Sequence, residues 1–140
     1  LQQYYEAFEN RRKNAEKLGI FFDSEILRDL VLAEYTDRKD TANDLYTVLF
    51  EWKKVSGERP NTMDDDEWSL RDLKIATGKA ALNEKMNAML FLRRSGDKYE
   101  PFRQELYNAY LNGQDNFPMT VQEAHACLDA WKPTHTKIVM

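Results

Sequence analysis

The sequence predicts an all-α fold of about six to seven helices arranged in two lobes. Three observations predict it. Only five Gly and four Pro occur in 140 residues while 31% are charged, a mixture suited to amphipathic helices and unlike a turn-rich β-sandwich. Apolar residues recur at helical spacing in successive segments. Between those segments stand Ser, Thr, Asp or Asn at starts and Gly or Pro at ends, the residues that cap and stop helices. With 42% hydrophobic and 12% aromatic residues, the chain can bury a sizeable core and is not disordered.

Tyr4, Phe8, Ala15 and Leu18 mark a first helix, interrupted in pattern by Arg11-Arg12-Lys13 and closed by Gly19. The apolar run Ile20-Phe21-Phe22 is expected to dock it against a second helix. Asp23 or Ser24 caps that helix, whose inner face is assigned to Ile26, Leu27, Leu30, Val31 and Tyr35. A polar turn, Thr36 to Asp40, leads to a third helix capped within Thr41-Ala-Asn-Asp44, with Leu45, Val48, Leu49 and Trp52 inward and Gly57 at its end. Residues 1–57 are thus expected to form an N-terminal helical lobe. Residues 58–67 contain Arg59-Pro60-Asn61 and the run Asp64-Asp-Asp-Glu67, have little to bury, and read as an acidic linker.

A C-terminal lobe is expected over residues 68–132. It opens with a short helical piece from Trp68 to Ile75, and Thr77-Gly78 leaves its continuity with the next helix open. From Leu82 to about Arg93, Leu82, Met86, Met89 and Leu90 share a face, and the run Met89-Leu-Phe-Leu92 places the far end in a core. A further helix from about Lys98 to Leu111 carries Tyr99, Phe102, Leu106 and Tyr110 on one side. Asp97 is its expected N-cap, Pro101 fits its first turn, and Asn112-Gly113 stops it. The last helix opens with Thr120-Val-Gln-Glu123, a capping box whose hydroxyl and carboxylate satisfy orphaned backbone donors. Val121, Ala124, Leu128 and Trp131 form its stripe, and Pro133 bars its extension into the tail, residues 133–140, where Ile138, Val139 and Met140 are available to a neighbour.

Chemistry is sparse. The acidic run at Asp64 lacks the glycine turn and distant bidentate Glu of a calcium loop, and suits the positive end of a helix dipole instead. His125 and Cys127 are two apart and diverge on a helix by roughly 200°, and His135 lies beyond Pro133, so no zinc pattern results. Nothing supplies a thiolate-stabilising environment for Cys127. No phosphate loop, nucleophile elbow or His-Glu-x-x-His motif occurs, and the chain is read as not an enzyme, with no cofactor or metal. An enzyme would have to assemble scattered acids such as Glu34, Asp44 or Glu123.

The formal net charge of −4 argues against a principal nucleic-acid surface, which needs clustered cations. Arg11-Arg12-Lys13, Lys53-Lys54 and Arg93-Arg94 lie near acidic residues and read as solvated helix faces, although Tyr4, Tyr5, Tyr99 or Tyr107 could stack on bases. The single cysteine excludes an internal disulfide and fits a cytoplasmic protein. No apolar run is long enough to span a bilayer, so no membrane partner is expected. The chain starts inside a helix without an initiator Met, as a piece of a longer polypeptide would.

Residue runs add a resemblance. Asn83-Glu-Lys-Met-Asn-Ala-Met-Leu-Phe-Leu92, Asp97-Lys-Tyr-Glu100, Leu106-Tyr-Asn-Ala-Tyr110, Asn112-Gly-Gln-Asp-Asn-Phe-Pro118 and Thr120-Val-Gln-Glu-Ala124 resemble the Gag polyprotein of Ty1/copia-type LTR retrotransposons, particularly the copia-like elements of diatoms and related algae. Phe117 stands where that family usually has Tyr, and Ala130-Trp-Lys132 closes the match. Tyr4 to Phe8 and Ala15 to Gly19 resemble the family's opening more loosely, the middle matches poorly, and the family's downstream zinc knuckle is absent. The resemblance implies a capsid-like bundle that self-assembles into a cytoplasmic virus-like particle enclosing the element's RNA, with RNA bound through segments outside this chain. Its partner would be itself, and the candidate self-assembly contacts are Trp68, Tyr99, Arg103 and Tyr107. A domesticated Gag-derived adaptor that binds a partner peptide without forming shells is the alternative.

Overall fold

The computed structural model describes residues 1–132, so His135 and the apolar end of the tail lie outside the described residues. The described chain is all-α, with no strand: α1 (Gln2–Lys17), α2 (Glu25–Asp37), α3 (Asp44–Lys54), α4 (Asp65–Ser69), α5 (Arg71–Arg93), a 3-10 turn (Asp97–Tyr99), α6 (Glu100–Leu111) and α7 (Val121–Ala130). It divides into two compact units, one made of Leu1–Gly19 with the chain from Asn87 onward, the other of Ile20–Met86.

That division differs from the one expected, which cut the chain at residues 58–67. The first helix belongs with the C-terminal half because its aromatic stripe packs on Phe91. Tyr4 stacks on the Phe91 ring at 4.8 Å, Phe8 meets it edge-on at 5.3 Å, and the Tyr4 hydroxyl donates to the Phe91 carbonyl at 2.6 Å. Residues 58–67, for their part, are folded into the second unit. Met63 is buried, its N–H donates to the Pro60 carbonyl, and its own carbonyl accepts from the Arg59 guanidinium at 3.1 Å. The acidic run is the start of a helix, as its dipole suggested: Asp64 Oδ1 accepts from the Glu67 N–H at 2.8 Å.

In the first unit the apolar end of α5 is central. Ala88, Phe91 and Leu92 are buried with Tyr99, Leu106, Val121, Ala124 and Leu128. The turn into α6 is not capped by Asp97. Gly96, at φ 99°, starts the 3-10 turn there, and α6 follows with Pro101 in its first turn and no side-chain cap. Gly113, at φ 92°, lies just past its end in the left-handed region that favours glycine. The α7 capping box forms with one change of partner. Thr120 Oγ1 accepts from the Glu123 N–H at 3.0 Å, while the Glu123 carboxylate reaches past the cap to the Met119 N–H at 2.9 Å.

In the second unit, Leu45, Leu49 and Trp52 of α3 are buried as their spacing predicts. The inner face of α2 is rotated from the one expected: Arg28, Leu32 and Tyr35 are buried, whereas Ile26 and Leu30 are 76% and 63% exposed. Arg28 sits inside because its guanidinium lies 4.8 Å from the Trp52 ring centre and donates to Asp29 at 2.9 Å and to Ser56 at 3.2 Å. Helix α5 runs unbroken through Thr77-Gly78. A Cβ at Gly78 would stand 2.7 Å from Trp52 Cβ and 3.1 Å from the Val48 carbonyl oxygen, so the glycine permits a close approach of α3 and α5. Leu18, expected in the α1 stripe, is exposed, and so are Ile20, Phe21 and Phe22. At that joint a main-chain group is held: the Phe22 N–H donates to Asn83 Oδ1 at 2.9 Å.

Candidate functional site

Of the four residues expected to make self-assembly contacts, Trp68 belongs to the second unit and the other three to the first. Tyr99 is 7% exposed, with its ring 6.2 Å from that of Trp131, and is a core residue. Arg103 closes the end of α5. Its Nη1 donates to Ser95 Oγ at 2.7 Å, to the Gly96 carbonyl at 2.9 Å and to the Leu92 carbonyl at 3.3 Å, a second donor for two carbonyls that also accept the Tyr99 and Ser95 N–H groups. Tyr107, four residues on along α6, is 51% exposed and is the member of the three with its ring available. Trp68 is half-buried under Arg71, whose guanidinium lies 5.2 Å from its ring centre and donates to its carbonyl.

The tyrosines considered for base stacking are largely committed to packing. Tyr4 lies on Phe91, and Tyr5 stacks on His125 at 4.2 Å. Burial pushes the Tyr4 hydroxyl above its ordinary pKa, with Arg94 and then Arg103 opposing. Basic residues pair locally where they were expected to be solvated faces. Arg12 meets Glu9 at 3.2 Å, Lys53 meets Asp29 at 3.6 Å, and Glu51 accepts from Lys74 at 2.9 Å and Lys54 at 3.3 Å. The bond from Lys74, followed by that from Lys54, holds Glu51 below the usual carboxylate range. Cys127 is half-buried, and burial first, then Glu123, pushes its thiol up, away from the thiolate that nucleophilic or metal chemistry uses. No group of three or more His, Cys, Asp or Glu able to hold a metal occurs among the described residues.

What the second unit does present is two clefts that the sequence reading did not anticipate. One, of about 330 Å³, lies along α2 and α3, lined by Asp29, Leu32, Ala33, Thr36 and Asp37 of α2 and by Tyr46, Phe50 and Lys53 of α3. The Tyr46 and Phe50 rings are nearly parallel at 13°, with centres 5.8 Å apart, and make one aromatic wall. The other, of about 220 Å³, is almost wholly apolar and is lined by Val48, Leu70, Leu73 and Thr77, with the Glu51–Lys74 ion pair at its side. The signal available for the first was the four-residue spacing of Asp29, Ala33 and Asp37 on α2 and of Tyr46 and Phe50 on α3. It could not be used while Ile26 and Leu30 were assigned inward. No helix of the described residues is long and apolar enough to cross a membrane. The chain matches no protein-family model, no curated protein and no solved structure.

Proposed function

We propose that this chain is a Gag-like capsid protein that self-assembles into a shell around retrotransposon RNA. The observation that carries the reading is where the resembling residues fall. Ala88, Phe91 and Leu92 of the first run, Leu106 of the third, Pro118 of the fourth and Ala124 of the fifth are buried, while Thr120 and Glu123 form the α7 cap. The resemblance therefore includes residues that build the fold, alongside exposed ones such as Asp97, Tyr107 and Gln114, the kind of likeness expected between shell subunits whose work is to hold a shape. An all-helical chain in two compact units, with large apolar side chains such as Leu30, Phe50, Leu73 and Leu111 left exposed, has surfaces to repeat from copy to copy. Each contact can be weak, since many in one shell accumulate.

The test is the mass of the purified chain by light scattering as concentration and salt are raised, with electron micrographs of the same samples. Capsomer-like oligomers, tubes or shells are expected. A monomer throughout, also when longer flanks are included, would count against the reading. The adaptor alternative is favoured by one feature, the apolar cleft at Val48, Leu70 and Leu73, which suits an apolar side chain of a bound peptide. A chain that stays monomeric and captures such peptides would support it.

A further inference from the structure

Building on the self-assembly reading above, we propose that the cleft between α2 and α3 takes a guanidinium side chain from a second copy of this chain, supplied by the Arg93-Arg94 doublet. The cleft combines what an alkyl cation needs. Leu32 and Ala33 offer an apolar surface for the stem. The nearly parallel Tyr46 and Phe50 rings offer π faces to a cation. Two carboxylates, Asp29 and Asp37, line the same cleft. Asp37 is the last residue of α2, where the helix dipole is negative and adds to its charge, and the last turn of α2 contains no basic residue.

One of the two carboxylates is already engaged: Asp29 accepts from Arg28 at 2.9 Å and pairs at 3.6 Å with Lys53, which also lines the cleft, so Asp37 is the carboxylate that meets the incoming cation. Arg38 and Lys39 follow Asp37 in sequence but are not part of the lining. A planar guanidinium has the advantage over an ammonium here, since it can lie flat on the aromatic wall while its edge meets a carboxylate.

A second copy supplies such a group. Arg93 and Arg94 form an adjacent exposed pair at the end of α5, whereas the exposed Arg11 stands singly, its neighbour Arg12 lying between Glu9 and Glu16, and Arg59 is held by Asp65 and the Met63 carbonyl. Donor and acceptor are different patches of one chain, so every copy can both give and take the contact, and we take it as head-to-tail. It propagates into rings or open arrays, as shell growth requires.

The test is cross-complementation by charge reversal, read by sedimentation velocity on the full chain. Asp37→Lys and the pair Arg93→Glu with Arg94→Glu lie at exposed positions, and circular dichroism should show each variant folded. Each alone is expected to weaken self-association by about tenfold or more. Mixing the two variants, or joining the changes in one chain, is expected to restore it. Tyr46→Leu, which keeps the stem's apolar surface but removes a π face, should weaken it by a smaller factor. Association unchanged in the single variants, or a mixture that stays dissociated, overturns the cleft assignment and leaves the capsid reading standing. A wild-type chain that never associates overturns both.

Discussion

Gly78→Ala gives the sharpest test of the second unit, because two ordinary effects act in opposite directions there. In an exposed helix interior, replacing Gly by Ala stabilises by about 1 kcal/mol, since the glycine holds more conformational freedom in the unfolded chain. At Gly78 the added methyl would lie 2.7 Å from Trp52 Cβ, 3.1 Å from Trp52 Cε3 and 3.1 Å from the Val48 carbonyl oxygen. Carbon atoms rest at about 3.5–4.0 Å, and two of these three atoms are backbone or tied directly to it, so no side-chain rotation clears them. The helices must separate by several tenths of an ångström around a fully buried Trp52. Overpacking of that kind costs about 1–3 kcal/mol; with immovable neighbours the upper part of the range applies, and the net loss after the propensity gain is about 1–2 kcal/mol. Urea titration followed by Trp fluorescence measures it. Thr77→Ala, on an exposed position of the same helix, is the control and should be neutral or stabilising by a few tenths of a kcal/mol. If Gly78→Ala stabilises the protein by the full helix-propensity amount, α3 and α5 do not approach at this point and the account of the glycine is wrong.

Further outcomes follow from the same geometry. Phe91→Ala removes a fully buried ring on which Tyr4, Tyr5 and Phe8 pack, and should destabilise the first unit by about 3–5 kcal/mol; calorimetry checks it. Thr120→Ala deletes the α7 cap and should cost about 1 kcal/mol in a denaturant titration, with Thr120→Ser recovering most of it. Leu32→Ala should cost about 2–5 kcal/mol and Leu30→Ala less than about 0.5 kcal/mol, and the opposite order would show that the inner face of α2 is misassigned. Glu51 is held below its unfolded pKa by Lys74 and Lys54, so its contribution is present above the unfolded value and is lost as pH falls through the folded one. Glu51→Gln should therefore flatten part of the acid limb of stability between about pH 5 and pH 3, a modest effect because the pair is partly exposed.

Helices and caps were legible where a local signal determines them. Thr120 and the Leu45, Leu49 and Trp52 stripe each satisfy a need within a turn or two of chain, and sequence spacing reports such needs directly. The partition into units was not legible, because it rests on aromatic contacts between Tyr4 or Phe8 and Phe91, more than eighty residues away in sequence and without a local mark. Residues 58–67 misled for a related reason. Their acidic charge and Pro suggest a solvated strand of chain, yet one buried Met63 and one cap at Asp64 are enough to fix the segment within a fold.

Helix α2 shows why surfaces resist sequence reading more than cores do. Its apolar residues extend around much of the helix, Ile26 and Leu30 on one side and Leu32 and Tyr35 on the other, so periodicity alone admits two inner faces. The expected choice kept the charged Arg28 out of the interior, which is the ordinary cost-driven assignment. What reverses it is Trp52: a large ring on α3 receives the guanidinium on its face, and Asp29 with Ser56 supplies the hydrogen bonds that a buried cation requires. Once Arg28 turns inward, Asp29, Ala33 and Asp37 come to line the cleft beside Tyr46 and Phe50. The candidate binding surface is thus a consequence of how one buried charge is satisfied. Arg28→Met, which fills similar space without the charge, separates the two roles: it should leave the unit folded while changing the environment of Asp29 and hence the cleft's affinity for a cation.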